Sequence, residues 1–351
     1  MKPDYTGELP RGCKLCEKGA KLVLFVTGLC GRGCHYCPLS EKRRDKDLAW
    51  ANERLVKTTK DILKEASRMD AKGAGITGGD PLIKLSRTIE YITLLKSTFG
   101  GDFHIHLYTA RTTDRKKLED LKKAGLDEIR FHATNNRLWK SIEKSIAIGI
   151  ETGIEIPAIP GEEKKIQETA KKLKKLGGSF LNLNELEFSE TNATFLKEKG
   201  YKLKDEVSYA VKGSRETAQK VLEEEIGFNI HYCSSNFKDS VQLKNRLIRT
   251  AKNTAKNYEE VTEEGLLLKG IIETTNNRED INTLKNIRQS LIEKYRIPED
   301  LIFLDKEKSR LETSIEITSF LTENNTPKNT ALSIIEEYPT ADRLETSKTP
   351  L

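Results

Sequence analysis

Residues 21–37 of the 351-residue chain read KLVLFVTGLCGRGCHYC, and this segment is the strongest indication of its fold. Its first half is a mostly apolar run that predicts a buried strand, Lys21–Thr27. Three cysteines, Cys30, Cys34 and Cys37, follow in the next loop. Ligand-binding groups of α/β proteins gather at the carboxyl ends of parallel strands, so we expect this loop to form part of a functional site.

Outward from this strand, short β-type runs alternate with longer amphipathic stretches, which is typical of βα units around a parallel sheet. Six such units are too many for a small open sheet and fewer than the eight of a closed barrel, which favours a partial barrel. Further strands are predicted at Gly73–Thr77, Phe103–Tyr108, Glu128–His132, Ile154–Ala158, Leu181–Phe188 and Phe228–Cys233. Helices are predicted at Thr59–Arg68, Leu85–Phe99, Asp114–Ala124, Leu138–Ile150, Glu163–Leu176 and Ser214–Glu225.

The pattern predicts three parts: an amino-terminal segment with a CxxC pair, residues 1–20; the barrel, residues 21–235; and a carboxyl-terminal α/β extension, residues 236–351. The extension is expected to begin with a long basic helix, because its charged and apolar residues recur at helical spacing. Its predicted elements are a helix over Phe237–Tyr258, an apolar stretch at Gly265–Glu273, a helix at Ile281–Tyr295, a strand at Leu301–Leu304 and a helix at Leu311–Leu321.

Composition describes a soluble protein with a charged surface: 32% of residues are charged, the mean hydropathy is −0.58 and the net charge is +6. The absence of an 18-residue apolar run and of a secretory signal predicts a cytoplasmic protein that does not enter membranes. Six cysteines in such a protein are expected to be metal ligands or catalytic groups rather than disulfides. Five of them fall between Cys13 and Cys37.

The CxxxCxxC loop has the ligands for a four-iron cluster. Three nearby thiolates hold three irons and leave the fourth open to a cofactor or substrate. Gly31 and Gly33 let the backbone wrap closely around the inorganic sulfides. The alternative is a structural zinc site with His35 as the fourth ligand, which we consider weaker because such loops usually staple small, sheet-poor modules.

The spacing Cys30-x₃-Cys34-x₂-Cys37 with Tyr36 before the last cysteine, together with TGGDPL at Thr77–Leu82, resembles the radical S-adenosylmethionine (SAM) superfamily. The closer likeness, over nearly the whole chain, is to archaeal proteins related to the pyruvate formate-lyase activating enzyme. The resemblance implies an enzyme with a partial (β/α)6 barrel. It also implies a [4Fe-4S] cluster whose open iron chelates SAM, and a low-potential electron donor.

By the same resemblance, reductive SAM cleavage yields a 5′-deoxyadenosyl radical that takes hydrogen from the substrate. Gly78 and Gly79 would then contact the methionyl amine, and Tyr36 would lie near the adenine. Asp80 stands where the family more often has Glu, which weakens any detailed assignment there. Polar residues at other strand ends are candidates to face SAM or substrate, or are simply hydrogen-bonded rim groups: Tyr108, Thr109, His132, Glu155, Pro157, Asn182, Asn184 and Glu187.

A second metal site is suggested by the remaining cysteines, Cys13, Cys16 and Cys233. The first two form a CxxC knuckle, and His231 shares a strand face with Cys233. An auxiliary iron–sulfur cluster with three cysteine ligands fits these residues, as does zinc with His231 as fourth ligand. The remaining alternative is a buried, unliganded Cys233 beside a CxxC that binds nothing.

The substrate is predicted from charge. A basic helix face is formed by Arg246, Arg249, Lys252 and Lys256, and Lys244 adds to its positive field. Such a face suits RNA phosphates and favours modification of RNA, most simply tRNA, although a solvated helix face has the same pattern. The alternatives are radical modification or activation of a protein or peptide, including hydrogen abstraction from a glycine, and a non-catalytic, metal-dependent RNA-binding protein.

Overall fold

The computed structural model describes residues 4–133, 136–275, 281–324 and 328–351. The chain forms two compact units. Unit 1 comprises Met1–Ser67 and Ala71–Leu243, and unit 2 comprises Arg68–Asp70 and Lys244–Leu351. Residues 4–20 are thus part of the first unit, which also extends a few residues beyond the expected end of the barrel at residue 235.

Unit 1 is an α/β structure whose elements alternate as the sequence predicts. Its strands are β1 Tyr5–Thr6, β2 Lys21–Phe25, β3 Trp50–Ala51, β4 Arg54–Leu55, β5 Gly73–Thr77, β6 His104–Thr109, β7 Glu128–Phe131, β8 Glu151–Ala158, β9 Phe180–Glu185 and β10 Ile230–Cys233. Its helices are α1 Arg11–Glu17, α2 Thr59–Arg68, α3 Leu85–Phe99, α4 Arg115–Ala124, α5 Trp139–Ala147, α6 Glu163–Lys175, α7 Ala193–Glu198, α8 Ser214–Glu223 and α9 Ser235–Phe237.

The strands form one sheet in the order β1-β10-β9-β8-β7-β6-β5-β2-β3-β4. Strands β2 and β5 to β10 are parallel to one another and follow one another in chain order, which is the arrangement of successive βα units. The sheet is therefore the partial (β/α)6 barrel that the sequence predicts, with β10 as an additional parallel strand and antiparallel strands at both edges.

One face of this sheet is apolar and the other is polar. In β6, Ile105 and Leu107 are fully buried, whereas His104, His106 and Tyr108 alternate with them and bond to polar groups of β2, β6 and β7. Successive residues of a strand point to opposite faces, so the apolar residues pack under the helices and the polar ones line the barrel interior.

The predicted helix over Phe237–Tyr258 is wrong as a single element. The chain instead forms α9, a π-helical segment Lys238–Leu243 and then α10, Lys244–Thr254. The Ser234 side chain caps α9 by accepting a hydrogen bond from the Phe237 N–H at 3.1 Å. Helical spacing alone does not distinguish a continuous helix from one with a π-helical interruption.

Unit 2 is built on an antiparallel sheet ordered β13-β14-β12-β15-β16, with β11 paired to β12. Its strands are β11 Glu260–Val261, β12 Leu267–Thr274, β13 Ile302–Asp305, β14 Arg310–Thr313, β15 Thr330–Glu337 and β16 Glu345–Pro350, and its helices are α10, α11 Ile281–Tyr295 and α12 Ile315–Glu323. The helix predicted from Leu311 is a correction here: its first residues belong to β14, and α12 begins after the Ser314 cap.

A buried ion network stabilises this second sheet. Glu312 is fully buried, and its carboxylate lies 2.6 Å from Arg343, 2.8 Å from Arg310 and 3.3 Å from Lys269. Burial alone would raise the pKa of Glu312, but the three cations outweigh it and hold the pKa well below its usual range. The network is thus ionised and paired at neutral pH.

Within the described parts of the chain, no helix combines the length and the apolar character that crossing a membrane requires.

Candidate functional site

The three cysteines of the CxxxCxxC motif lie in the loop after β2, as free and partly buried thiols. Gly31 has a φ of +69°, a conformation that favours glycine. A Cβ added at Gly31 or Gly33 would meet no described atom within 4 Å, so the backbone leaves open space beside the thiols. The loop can therefore accommodate a bulky inorganic group.

Hydrogen bonds hold this loop in place from the protein side. The Cys37 carbonyl accepts from the Arg44 guanidinium and from the Thr191 hydroxyl, both at 3.2 Å. The Tyr36 carbonyl accepts from the Asn192 amide at 3.2 Å. Because these contacts use backbone carbonyls, the thiols themselves stay available as ligands.

The three thiols are not gathered as tightly as the ligands of one bound ion. Four ligands of one zinc ion lie about 3.8 Å apart when its Zn–S bonds are tetrahedral. Among the described residues, Cys30, Cys34 and Cys37 are not a set whose ligand atoms all lie within 4.8 Å of one another. Burial raises the pKa of Cys30 and Cys34, and the neighbouring thiols raise it further, so the sulfurs share one local environment.

The glycine motif after β5 packs directly on the thiol loop. The Gly79 N–H donates to the Thr27 carbonyl and the Asp80 N–H to the Leu29 carbonyl, both at 2.8 Å. A Cβ at Gly79 would lie 2.4 Å from the Leu29 oxygen, and one at Gly78 would lie 2.5 Å from the Thr27 oxygen. Only glycine allows this approach, which brings together the two motifs that the sequence assigns to cluster and SAM.

Asp80 and Thr109, both predicted to bind the cofactor, are joined to each other by hydrogen bonds. The buried Asp80 carboxylate accepts from the Leu82 N–H at 3.0 Å, the Thr109 hydroxyl at 3.1 Å and the Ala110 N–H at 2.8 Å. Burial raises the pKa of Asp80, although these donors lower it in part. The pair links the loop after β5 to the end of β6.

Tyr36 and His132 lie together at the carboxyl end of the strands. The His132 Nδ1–H donates to the Glu155 carbonyl at 3.0 Å, so Nε2 carries the lone pair and accepts from the Tyr36 hydroxyl at 2.7 Å. Burial lowers the pKa of His132, which keeps the ring neutral at physiological pH. The chain of bonds holds the Tyr36 ring beside the cysteine loop.

A cavity of about 190 Å³ opens next to this pair at the ends of β7, β8 and β9. One wall carries an ion pair, Lys238 Nζ to Glu187 Oε1, at 2.6 Å. The other lining residues are Tyr36, Pro38, His132, Ile156, Pro157, Asn184, Glu185 and Leu186. The cavity adjoins the thiol loop and combines apolar walls with a few polar groups, as small-molecule sites usually do.

Deeper in the barrel, Arg130 organises a buried polar network that the sequence reasoning missed. Its guanidinium donates to the Glu128 carboxylate, to Glu155 Oε2 at 2.8 Å and to the Tyr108 hydroxyl at 3.2 Å. Glu155 also accepts from Asn182 at 3.0 Å and Asn184 at 2.8 Å. Burial would raise the pKa of Glu155, but Arg130 and the amides lower it overall.

Tyr108 and Glu155, predicted to face SAM, thus belong to an interior network with every carboxylate oxygen of Glu155 engaged. A signal for this network is present in the sequence. Charged or imidazole side chains occupy alternate positions of otherwise apolar strands, in HIHLYT of β6 and EIRF of β7. Such alternation indicates a polar lumen when the opposite face is covered by helices.

The second group of thiols also faces the interior. Cys13 and Cys16, the predicted CxxC pair, lie on one face of α1, and Cys233 ends β10. Cys13 Sγ lies 3.5 Å from the Arg130 guanidinium and 3.4 Å from the Asn182 amide. Burial raises the pKa of Cys16 to about 11 and that of Cys233 to about 12.

Three of the five residues predicted for nucleic-acid binding lie near acidic side chains of unit 2. Arg249 bonds the Asp70 carboxylate at 2.8 Å, and Lys244 lies 4.0 Å from Glu264. Lys256, which falls outside α10, pairs with Glu312 at 3.4 Å. The two other members, Arg246 and Lys252, lie on α10. A face that already pairs with acidic residues provides weak support for phosphate binding.

Comparison with known proteins identifies the two regions. The profile of the radical SAM superfamily matches residues 24–173, and that of a domain of unknown function, DUF8061, matches residues 265–351. A Methanocaldococcus jannaschii protein described as "Putative glycyl-radical enzyme activating enzyme" is 43% identical over 357 residues, 98% of this chain and 93% of that protein.

Two more distant similarities cover a smaller part of the chain. A GTP 3′,8-cyclase of Clostridium botulinum is 29% identical over 147 residues, 37% of this chain and 44% of the cyclase. The crystal structure of Streptococcus suis SuiB bound to S-adenosylmethionine aligns with 64% of this chain at 14% identity and a TM-score of 0.44, and this chain spans 53% of SuiB.

The fold, the thiol loop and the glycine motif define a radical SAM enzyme, and the chain belongs to that superfamily. Within it, the chain shares a family with the M. jannaschii protein, to which it is similar along nearly its whole length. The predicted superfamily, the partial barrel and the cofactors, a [4Fe-4S] cluster and SAM, are confirmed.

Proposed function

We propose that this enzyme abstracts a hydrogen atom from a protein or peptide, with a glycine residue of a partner protein as the simplest target. The similarity that carries the proposal is the 43% identity, over 98% of this chain, to a protein described as a glycyl-radical enzyme activating enzyme. The ion pairs of Arg249 and Lys256 also favour a protein substrate over RNA, because these side chains already contact carboxylates and give weaker support to phosphate binding.

Cys30, Cys34 and Cys37 would hold the cluster, and the Gly78–Gly79 backbone would approach the methionyl end of SAM. When bound, the cluster supplies the electron that splits SAM into methionine and a 5′-deoxyadenosyl radical, and a low-potential donor replaces that electron. The radical then takes one hydrogen atom from the substrate, giving 5′-deoxyadenosine and a substrate radical. Each hydrogen atom removed from the substrate thus requires one SAM and one electron.

The chain's own residues orient the reactants and exclude water. Asp80 and Thr109 fix the glycine motif, and Tyr36 with His132 forms a wall of the cavity beside the thiols. The Lys238–Glu187 ion pair also lines this cavity. Polar groups at this edge would recognise a substrate backbone, and the apolar walls would exclude water from the radical.

Fractionated cell extract tests the substrate class. Anaerobically reconstituted enzyme, SAM and dithionite are mixed with the protein fraction or the RNA fraction of the organism that encodes the chain. We expect the protein fraction to stimulate 5′-deoxyadenosine formation and to acquire a carbon-centred radical by electron paramagnetic resonance. Stimulation by the RNA fraction alone, with no radical on protein, would overturn the proposal in favour of RNA modification.

We also propose that Cys13, Cys16 and Cys233 hold an auxiliary iron–sulfur cluster. Cys13 and Cys16 both act electrostatically on Cys233, so the three thiols face one interior region. Arg130 and the Asn182 amide approach Cys13 and could donate to a cluster sulfide. Among the described residues, these thiols and His231 include no set of three whose ligand atoms all lie within 4.8 Å of one another.

Iron content tests the auxiliary cluster. The reconstituted chain should contain about eight irons, and the Cys13→Ser/Cys16→Ser variant about four, because each cluster carries four. The variant should still cleave SAM, since the Cys30 loop is intact. A wild-type chain with about four irons, unchanged in the variant, would show that the second group of thiols binds no cluster.

A further inference from the structure

Three polar side chains meet near the amino-terminal ends of two strands, in a place that the proposed chemistry does not use. His104 and His106 are two residues apart on β6, and Glu128 on β7 lies opposite His106 in the strand register. All three are 2% exposed or less. Nitrogen atoms of both imidazoles and an oxygen of the carboxylate lie within 4.8 Å of one another.

The converging atoms lack hydrogen-bond partners. His104 Nε2, His106 Nδ1 and Glu128 Oε2 are buried and make no hydrogen bond with the described protein atoms. His104 Nε2 lies 3.5 Å from Glu128 Oε2, and His106 Nδ1 lies 3.9 Å from Glu128 Oε1. These separations are long for hydrogen bonds. Buried unpaired polar atoms are uncommon, and three that face a common gap point to a ligand between them.

The opposite end of each side chain is held by a second residue. Lys21 Nζ lies 2.7 Å from His104 Nδ1, and the Tyr108 hydroxyl lies 3.1 Å from His106 Nε2. Glu128 Oε1 accepts from Arg130. Metal-binding imidazoles and carboxylates are characteristically oriented in this way by outer partners, which leave one atom of each group for the metal.

Glycines make room for the imidazole of His106 on two sides. A Cβ at Gly75 on β5 would lie 2.7 Å from His106 Nε2. A Cβ at Gly12 on α1 would lie 2.5 Å from the Arg130 guanidinium, 2.6 Å from His106 Nδ1 and 3.1 Å from Glu128 Oε2. The backbones of β5 and α1 thus close around the group, and α1 covers it at Gly12.

We propose that His104 Nε2, His106 Nδ1 and Glu128 bind one divalent transition-metal ion of the zinc or ferrous type. Two imidazoles and a carboxylate are a common donor set for these ions. Coordination through His104 Nε2 leaves Nδ1, the ring nitrogen that Lys21 contacts, outside the metal site. The nearby Arg130 is already paired with two carboxylates.

The ion would fasten β6 to β7 under α1, the helix that carries Cys13 and Cys16. The site contains no thiolate, and it does not depend on which substrate the enzyme attacks. It goes beyond the proposed function, because a structural or electrostatic metal here would be present whether the target is a protein or an RNA.

Cobalt(II) is a suitable probe because it occupies zinc sites and can be distinguished from cluster iron. The cluster-loaded full chain is incubated with Co²⁺ and desalted, and cobalt per chain is measured by mass spectrometry. We expect one cobalt per chain in the wild type and in the Cys13→Ser/Cys16→Ser variant. The His104→Asn/His106→Asn variant should retain less than a tenth of that amount, whereas His231→Asn, a matched change at another buried histidine of the sheet, should retain it.

Two further measurements keep the test decisive if a variant folds poorly. Far-ultraviolet circular dichroism shows whether each variant is folded. The cobalt spectrum of the wild type should show ligand-field bands without a thiolate charge-transfer band. The proposal is overturned if the wild type retains no cobalt, if the folded double-histidine variant retains as much as the wild type, or if the retained cobalt is bound by thiolate.

Discussion

Substituting Gly79 with alanine should separate the two loops that we propose form the SAM site. The added Cβ would lie 2.4 Å from the Leu29 carbonyl oxygen and 2.5 Å from that of Gly28, and neither backbone atom can rotate away. The loops must part by several tenths of an ångström, which strains the hydrogen bonds from the Gly79 and Asp80 N–H groups. Overpacking of this kind costs about 1–3 kcal/mol, and each weakened hydrogen bond about 1 kcal/mol.

A cost of roughly 3 kcal/mol corresponds to about a hundredfold, at about 1.4 kcal/mol per factor of ten. We therefore expect Gly79→Ala to weaken SAM binding by between tenfold and a few hundredfold, with iron content close to that of the wild type. Equilibrium dialysis with labelled SAM measures the affinity, and liquid chromatography of 5′-deoxyadenosine measures cleavage.

Gly101→Ala is the matched control, because a Cβ there meets no described atom within 4 Å. It should bind SAM as the wild type does. If Gly79→Ala contains its iron and binds SAM within twofold of the wild-type affinity, the close packing of the two loops is not what forms the SAM site.

Three other predictions follow from buried groups. Arg130→Met leaves two buried carboxylates without their cation and should lower the free energy of unfolding by about 3–5 kcal/mol in denaturant titrations; a loss under 1 kcal/mol would contradict the network. Tyr36→Phe leaves His132 Nε2 without its hydrogen-bond donor, which costs about 1–3 kcal/mol. The variant should cleave SAM at least fivefold more slowly without loss of iron, and unchanged kinetics would show that Tyr36 does not contribute to the site. The lowered pKa of Glu312 stabilises the protein above about pH 4.5 and less as pH falls below that, so the stability deficit of Glu312→Gln measured at pH 7 should shrink at pH 4; a pH-independent deficit would argue against the ion network.

Local patterns predicted much of the barrel. The bounds of β5, α2 and α3 agree with the sequence prediction, because each has a full period of apolar residues and clear end signals. Helix α1 was missed: it has only seven residues, includes Gly12, and is held by packing on the barrel interior rather than by its own periodicity. At strand β14 the sequence predicts the start of a helix, because the apolar residues of this strand also fit helical spacing.

The cysteine motifs were recognisable from spacing alone, whereas the roles of their neighbours were not. Asp80 meets Thr109 only because two strand ends are adjacent in the sheet, and nothing in the local sequence distinguishes a carboxylate facing SAM from one facing a neighbouring loop. Arg130 and the imidazoles of β6 carried a usable signal, since polar residues at alternate strand positions indicate an interior network. Their pairing depends on the strand register, which the sequence does not specify.

Deuterium transfer tests the central proposal most directly. Cells of the encoding organism are grown on glycine deuterated at Cα, and their total protein and RNA are supplied separately to the reconstituted enzyme with SAM and dithionite. Hydrogen abstraction from a protein glycine predicts singly deuterated 5′-deoxyadenosine with labelled protein and undeuterated product with unlabelled protein. Product that stays undeuterated with labelled protein, although its formation is stimulated, would contradict abstraction from glycine, and stimulation by RNA alone would contradict a protein substrate.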